Sequence, residues 1–206
     1  MIRFSEQDKA RISAAIHEAE HATSGEFVAV VARASDHYIF LPLLWAAILA
    51  LLVPGAFLLT GMSLSYAHLY DIQLLTFIAL AMLFMFAPGL HLYLVPRSVK
   101  HSRASRLAKA QFYLQGVHMT SERSGVLLFV SLAERYVEIV ADRGIHEKLG
   151  EAFWQNVVRN FVQQVRDGQV VDGFVAAVKA CGEGMAKHYP LSAGDRNELS
   201  DGLIEI

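Results

Sequence analysis

The sequence predicts a small α/β layer sandwich that is interrupted by a two-helix transmembrane hairpin. Two long apolar runs, 39–59 and 72–95, contain no Asp, Glu, Lys or Arg. In the polar sequence on both sides of these runs, short apolar β-rich segments alternate with helical patterns. The polar segment before the runs is too short to bury a core alone. We therefore expect the two polar segments of this 206-residue chain to fold together, with the hairpin as an insertion.

The first polar segment predicts one helix and one strand. Ser5 with Asp8 is typical of a helix N-cap followed by an acidic first turn. Apolar residues then repeat at helical spacing, so residues 6–22 are predicted to form an amphipathic helix. Thr-Ser-Gly at 23–25 ends it, and the apolar run at 27–31 is predicted to be a buried strand.

The apolar runs and their flanks predict a membrane orientation. Each run reaches the roughly 20 residues that a helix needs to cross a bilayer core. The loop 60–71 between the runs has no Lys or Arg, whereas segment 96–121 has five basic residues and no acid. Because cytoplasmic loops carry excess positive charge, we expect a multi-pass protein of a bacterial-type inner membrane with both termini in the cytoplasm. The alternative, a hairpin buried in a large soluble protein, is disfavoured because the chain has little else to cover it.

The second polar segment predicts three helices and a β-hairpin. The helices are expected at 98–115, 146–166 and 170–187, and the strands at 125–131 and 136–140, joined by a turn at 133–135. The domain boundaries follow: a split α/β domain over 1–37 and 97–190, a transmembrane hairpin over 38–96, and a flexible tail over 191–206.

The charge, the single cysteine and the basic residues indicate which classes of partner and which compartment suit this chain. The formal net charge of −2 gives no indication of nucleic-acid binding. The single cysteine, Cys181, has small apolar neighbours and is predicted to be a packed thiol, which fits a reducing compartment. The basic residues of helix 98–115 either bind anionic membrane lipids or only set the topology.

Residues 17–21 read His-Glu-Ala-Glu-His, which literally matches the H-E-x-x-H pattern of zinc metalloproteases. Two histidines four residues apart share a helix face and can hold one Zn²⁺. However, the helix is expected to end shortly after His21, Glu20 occupies a position that is usually uncharged, and no third ligand is evident. We therefore interpret His17 and His21 as structural residues, and the metalloprotease as the least favoured function.

The polar segments resemble proteins with a TPM domain. Residues 118–135, HMTSERSGVLLFVSLAER, resemble the T-x-x-R-x-G-V-L-x-x-V-S-x-x-E-R stretch of that family. Residues 20–27, EHATSGEF, resemble its E-x-x-T-x-G-E entry into the first strand. Further similarities lie at 136–145, Trp154, 172–174 and 188–190.

The resemblance implies a TPM-like mixed β-sheet between helices. It also implies two kinds of role, because some plant thylakoid members are described as acid phosphatases and others as accessory factors in membrane-complex assembly or repair. Metal binding through acidic loops is reported in parts of the family. This chain has only Phe-Ser-Glu-Gln-Asp at 4–8 where many relatives have an acidic loop.

The candidate site residues lie where polar groups gather at the ends of the predicted strands. Glu26 precedes the first strand, Arg123 precedes the second, and Asp142 and Arg143 follow the third. Glu26 and Asp142 are candidate ligands of a divalent cation, since hard cations prefer oxygen ligands. Either arginine is a candidate phosphate ligand. The alternative is that all four serve turns and ion pairs, since no nucleophile–base pair is evident.

Two function classes remain from the sequence. The favoured one is a non-enzymatic accessory or interaction factor at the inner membrane, with membrane lipids and another membrane protein as partners. The alternative is a phosphatase-type hydrolase, a metal-dependent phosphomonoesterase. No cofactor is firmly implied beyond the candidate divalent cation.

Overall fold

The computed structural model describes residues 4–61, 64–86, 92–93, 95–191 and 197–206. The chain divides into two compact units, Met1–Ser35 with His101–Ile206, and Asp36–Lys100. The helices are α1 (Glu6–Glu20), α2 (Phe40–Leu59), α3 (Tyr66–Phe86), α4 (Arg97–Leu114), α5 (Arg143–Leu149), α6 (Glu151–Arg166) and α7 (Val170–Ala186), with a 3₁₀ turn at Val117–Met119. The strands are β1 (Phe27–Ala32), β2 (Val126–Ser131), β3 (Tyr136–Ala141) and β4 (Leu203–Glu205).

The strands form one mixed sheet in the order β3-β2-β1-β4. β1 pairs in parallel with β2 on one side and with β4 on the other. β2 and β3 form the expected antiparallel hairpin, with Val126 opposite Ala141. The predicted fold class, a small mixed sheet flanked by helices and interrupted by two apolar helices, is confirmed.

Helices cover both faces of the central strands. Phe27 and Val126 lie on the face that packs against α1, α6 and α7. Val28 and Leu127 lie on the opposite face, which packs against α4. This explains why every residue of β1 and β2 is buried and why both strands are continuous apolar runs in the sequence.

α1 begins with a capping box. The Ser5 backbone N–H donates to Asp8 Oδ2 at 2.9 Å, and the Asp8 N–H donates to Ser5 Oγ at 3.1 Å. These two bonds satisfy amide groups that would otherwise lack partners at the start of the helix. The N-cap predicted at Ser5 is therefore confirmed.

The single helix predicted over 146–166 is wrong. The chain forms α5 and α6, and Gly150 between them has a φ of 75°. Glycine reaches this left-handed region without the strain that a Cβ would introduce. The apolar repeat continues across the break, so periodicity alone did not reveal it.

The prediction of a flexible tail is wrong for its last residues. Leu203–Glu205 forms the edge strand β4, with Ala29 opposite Leu203. The Ile206 N–H donates to the Val31 carbonyl, and the Arg33 N–H donates to the Ile206 carbonyl, both at 2.9 Å. A three-residue strand is too short to show an alternating pattern in the sequence. Residues 192–196 of the predicted tail lie outside the described residues.

The second unit is built around α2 and α3, which pack against each other. Both helices are long and apolar enough to cross a membrane. Many of their large apolar side chains are exposed, including Leu51 at 66% and Leu75 at 65%. The second apolar run was predicted to reach residue 95, but α3 spans Tyr66–Phe86, and residues 87–91 and 94 lie outside the described residues.

Candidate functional site

A cleft of about 410 Å³ opens in the α/β unit between α4 and the end of β3. It is lined by Lys109, Phe112, Tyr113, His118, Arg123, Val140, Ala141, Asp142 and Arg143. Three of the four sequence-predicted candidates, Arg123, Asp142 and Arg143, therefore lie around one cavity. They come together because β2 and β3 form a hairpin, so the residue before β2 and the residue after β3 lie at the same sheet end.

The cleft carries more positive than negative charge. Lys109, Arg123 and Arg143 line it together with one acid, Asp142. Arg143 is also paired outside the lining, since its Nε lies 2.7 Å from Glu147 Oε1. A cavity with this balance favours an anionic ligand, and guanidinium groups bind phosphate oxygens in a bidentate geometry.

Backbone hydrogen bonds hold the chain in place at two of these residues, Arg123 and Asp142. Arg123 has a φ of 51°, and its backbone N–H donates to the Thr120 carbonyl at 3.1 Å. Asp142 is the N-cap of α5, because its carboxylate accepts a hydrogen bond from the Arg143 N–H, while its own N–H donates to the Gly125 carbonyl at 2.9 Å. Asp142 therefore serves the local fold and also faces the cleft.

Aromatic rings form the α4 side of the cleft. The ring centroids of Tyr113 and His118 lie 5.0 Å apart at a steep angle, and Phe112 packs edge-on against Tyr113 at 5.7 Å. Phe112 is buried, whereas Tyr113 is 63% exposed. Sequence reasoning did not select Lys109, Tyr113 or His118. The resemblance stretch begins at His118, but nothing in the sequence connects that stretch to this part of α4.

Glu26, the fourth candidate, does not line the cleft. Its side chain is buried, and its Oε1 accepts a hydrogen bond from the Glu198 N–H at 3.1 Å. Among the residues that the structure describes, no group of three or more His, Cys, Asp or Glu side chains is arranged to hold a metal ion. Shared metal coordination by Glu26 and Asp142 therefore stays a prediction.

Several polar residues of the resemblance motifs hold the fold together. Thr23 Oγ1 donates to the Tyr189 carbonyl, and Ser124 Oγ donates to the Ser24 carbonyl at 3.1 Å. These bonds join the loop before β1 to the end of α7 and to the start of β2. The polar residues of segments 23–26 and 188–190 thus have a structural role, because they form hydrogen bonds that hold these segments together.

The S-x-x-E part of the motif is also a structural junction. Ser131 Oγ donates to the buried carboxylate of Glu134, which also accepts from the Ser35 N–H at 3.0 Å. Ser35 Oγ donates to Ser131 Oγ at 2.8 Å. The network ties the segment after β1 to the β2–β3 turn.

Glu20 is a half-buried carboxyl group with a strongly raised pKa. Burial raises its pKa to about 8, and the nearby charges of Glu26 and Asp201 act in the same direction, while a hydrogen bond from the Phe27 N–H at 3.0 Å opposes them. Asn197 Nδ2 donates to its other oxygen at 3.2 Å. Strongly shifted groups mark functional or structurally coupled sites. The sequence around Glu20 is polar and does not predict this burial, because the residues that cover Glu20, among them Asn197, come from the C-terminal segment.

His17 of α1 and His21, the helical C-cap residue that follows Glu20, are exposed and lie on the same side, as a spacing of four residues requires. Their Nε2 atoms are 3.0 Å apart and their ring centroids 4.4 Å apart. His17 Nδ1 lies 2.9 Å from Asp201 Oδ2. The C-terminal segment that covers Glu20 therefore also reaches the histidine pair.

Comparisons with known proteins fit this architecture. The family model described as the TPM domain matches residues 91–184. This match covers the part of the chain after the two apolar helices, and it agrees with the resemblance in residues 118–145.

A solved structure supports the same fold. The NMR structure of BA42 protein from the psychrophilic bacterium Bizionia argentinensis aligns over 100% of this chain and 97% of its own, with a TM-score of 0.62 and 16% sequence identity. This likeness shows the fold alone. No curated protein matches the chain in sequence.

Proposed function

We propose that this chain is an integral protein of a bacterial-type inner membrane whose TPM domain acts in the cytoplasm as an interaction module. The observation that carries the proposal is the exposure of apolar side chains on α2 and α3, which are long enough to span a bilayer. Two neighbouring helices with many exposed large apolar side chains are typical of contact with lipid or with a partner. In the chain, α2 and α3 lie between the first part of the TPM domain, which ends with β1, and the second part, which begins with α4.

The distribution of charge supports the orientation. Basic residues of α4 follow the second apolar helix, while segment 60–65 between the helices contains no Lys or Arg. The positive-inside rule then assigns the TPM domain to the cytoplasm and segment 60–65 to the outside.

Site-directed labelling tests this orientation. In a Cys181→Ala background, Ser65→Cys should react with a membrane-impermeant thiol reagent added to intact cells, and Ser102→Cys should react only after permeabilisation. Both serines are polar, and Ser102 is exposed on α4. The reverse pattern would contradict the proposed topology.

We propose that the cleft is the contact point for the partner. Its excess of positive charge and its exposed Tyr113 favour an acidic segment that carries an aromatic or apolar group. The partner class is another membrane protein with an acidic cytoplasmic segment, and electrostatic steering would act over about 8 Å at physiological ionic strength.

Capture from detergent-solubilised membranes tests the contact. Wild-type protein should retain a reproducible partner, and Lys109→Glu with Arg143→Glu should lose it. Arg159→Glu, an exposed substitution on α6 away from the cleft lining, is the matched control and should retain it. Recovery of no reproducible partner, or equal recovery with the cleft variant, would refute this role.

The second candidate is a phosphatase-type hydrolase, and one observation favours it. Arg123, Arg143 and Lys109 surround a cavity that also contains His118 and Asp142, so a phosphate group and a proton donor or acceptor would lie together. A divalent cation at Asp142 would add to the positive field. Against it, the described residues that line the cleft include no serine, threonine or cysteine.

Hydrolysis of a generic phosphomonoester, with and without added Mg²⁺, tests this candidate. Asp142→Ala and Arg123→Ala should each abolish turnover, while Arg159→Ala should not change it. Equal turnover in the Asp142 variant would exclude the proposed site, and absence of any turnover in the wild type would leave the interaction module as the function.

A further inference from the structure

We propose that His17 of α1 and His21, the residue that caps its C-terminal end, form a binding site for a divalent transition-metal ion of the zinc type, with Asp201 as the outer carboxylate. This site is separate from the cleft and does not depend on the function proposed there. The sequence alone favoured a structural role for both histidines. The positions of their ring nitrogens and of Asp201 instead favour a metal-binding role.

The first argument is the convergence of the two Nε2 atoms. They lie 3.0 Å apart in a hydrogen bond, which His21 Nε2–H donates when the proton of His17 is on Nδ1, and an ion would replace that shared proton. Two nitrogens bound to one tetrahedral Zn²⁺ at about 2.0–2.1 Å are separated by roughly 3.3 Å. Small side-chain rotations are therefore enough to admit an ion. Both imidazoles are exposed, so their movement meets little resistance and solvent has access to the ion.

The second argument is the carboxylate behind His17. Asp201 Oδ2 lies 2.9 Å from His17 Nδ1, which places the proton on Nδ1 and leaves a lone pair on Nε2. Asp201 Oδ1 in turn accepts a hydrogen bond from Asn197 Nδ2. A histidine that binds a metal commonly donates its other N–H to a carboxylate that is itself hydrogen-bonded, and this arrangement is present around His17.

The ligand set predicts the kind of ion. Two neutral imidazoles favour Zn²⁺, Cu²⁺ or Ni²⁺ over Mg²⁺ or Ca²⁺, which require oxygen ligands. Because the described residues contain no group of three or more metal-ligating side chains, water would fill the remaining positions. An exposed site with two protein ligands is suited to moderate affinity and to exchange of the ion with solvent.

Metal binding would also act on the C-terminal segment. Asp201 belongs to the stretch that leads into β4, and β4 pairs with β1. An ion on Nε2 of His17 would withdraw electron density from the ring, make Nδ1–H a stronger donor and thereby strengthen its hydrogen bond to Asp201. We expect the backbone amides of Leu203–Glu205 to exchange with deuterium more slowly when Zn²⁺ is bound.

Titration of the full-length protein in detergent with Zn²⁺ tests the proposal by calorimetry. The wild type should bind one Zn²⁺ per chain, and His17→Gln and His21→Gln should each weaken binding at least tenfold. His188→Gln, a substitution of an exposed histidine elsewhere, is the matched control and should bind as the wild type does. Circular dichroism without metal verifies that each variant is folded.

X-ray absorption at the zinc edge supplies a second readout, and two imidazole nitrogens are expected in the first shell. Asp201→Asn should weaken binding about 10- to 100-fold while both imidazoles remain ligands. Absence of saturable binding in the wild type, or unchanged binding in His17→Gln and His21→Gln, would overturn the site. Unchanged affinity in Asp201→Asn would overturn the role of the outer carboxylate.

Discussion

Phe27 of β1 lies opposite Val126 of β2 in parallel register, although α2 and α3 lie between them in the chain. Parallel neighbours require a crossover connection. Here that connection contains both apolar helices and α4, so the central pairing of the α/β unit joins segments that precede and follow the two apolar helices in the chain. Contacts that fix the β1–β2 pair should therefore matter greatly for folding.

Gly125 provides the first prediction, because it precedes Val126 in a tight position. A Cβ at residue 125 would lie 2.3 Å from the Val117 carbonyl oxygen, and backbone cannot move away as a flexible side chain can. We expect Gly125→Ala to lower the free energy of unfolding by roughly 1–3 kcal/mol, the usual range for overpacking. Thermal unfolding in detergent measures the change.

Gly202→Ala is the control for this substitution. Its Cβ would meet only Ser200 Oγ at 3.4 Å, so a change close to zero is expected. Equal stability of the two variants would show that the 3₁₀ turn and the start of β2 are not held as closely as described.

Glu134 gives the second prediction. Its buried carboxylate accepts from the Ser35 N–H and from the Ser131 hydroxyl. Glu134→Ala leaves the buried Ser131 hydroxyl and the half-buried Ser35 N–H without this acceptor, and we expect a loss of about 1–3 kcal/mol in the free energy of unfolding. Glu183→Ala, on the exposed side of α7, should lie within about 0.5 kcal/mol of the wild type. Chemical denaturation would distinguish the two, and equal losses would contradict a structural role of the S-x-x-E segment.

Glu20 gives a pH-dependent prediction. Burial raises its pKa to about 8 from the ordinary value of 4.5, so the folded state holds a proton that the unfolded state has released over this interval. The stabilisation is complete below about pH 4.5 and is lost as pH rises through 8. We expect Glu20→Gln, which keeps an acceptor for the Phe27 N–H, to raise the melting temperature at pH 8 more than at pH 5.

Glu183→Gln serves as the comparison for this experiment, since Glu183 is exposed. The informative quantity is the difference between variant and wild type at each pH, which removes the contributions of other titrating groups. A Glu20→Gln effect that grows as pH falls would contradict the raised pKa.

The sequence predicted the local elements of this fold well where a single pattern determined them. β1, β2 and β3 are short apolar runs, and the apolar faces of α1 and α7 repeat at helical spacing, so burial and periodicity identify them. β4 was missed because Leu203–Glu205 is too short for a pattern and follows a polar stretch. Its strand conformation depends on the free edge of β1, which is a tertiary feature.

The candidate site was predicted in part for a similar reason. Arg123, Asp142 and Arg143 flank a β-hairpin, and its register necessarily brings them to one sheet end. Glu26 also lies at that end, but its side chain is engaged by the Glu198 N–H. Lys109 and His118 come from α4 and the turn after it, whose position over the sheet depends on packing of Ala104 and Ala108 against β1 and β2. Packing of this kind has no local sequence signal.

Membrane integration is the central claim of the proposed function, and alkaline carbonate extraction tests it most directly. Membranes from cells that produce the full-length chain are washed at high pH, which releases peripheral proteins and retains those with spanning helices. The exposed apolar surfaces of α2 and α3 predict that the protein stays in the membrane pellet and leaves it only with detergent. Quantitative release into the supernatant as folded protein would contradict the account.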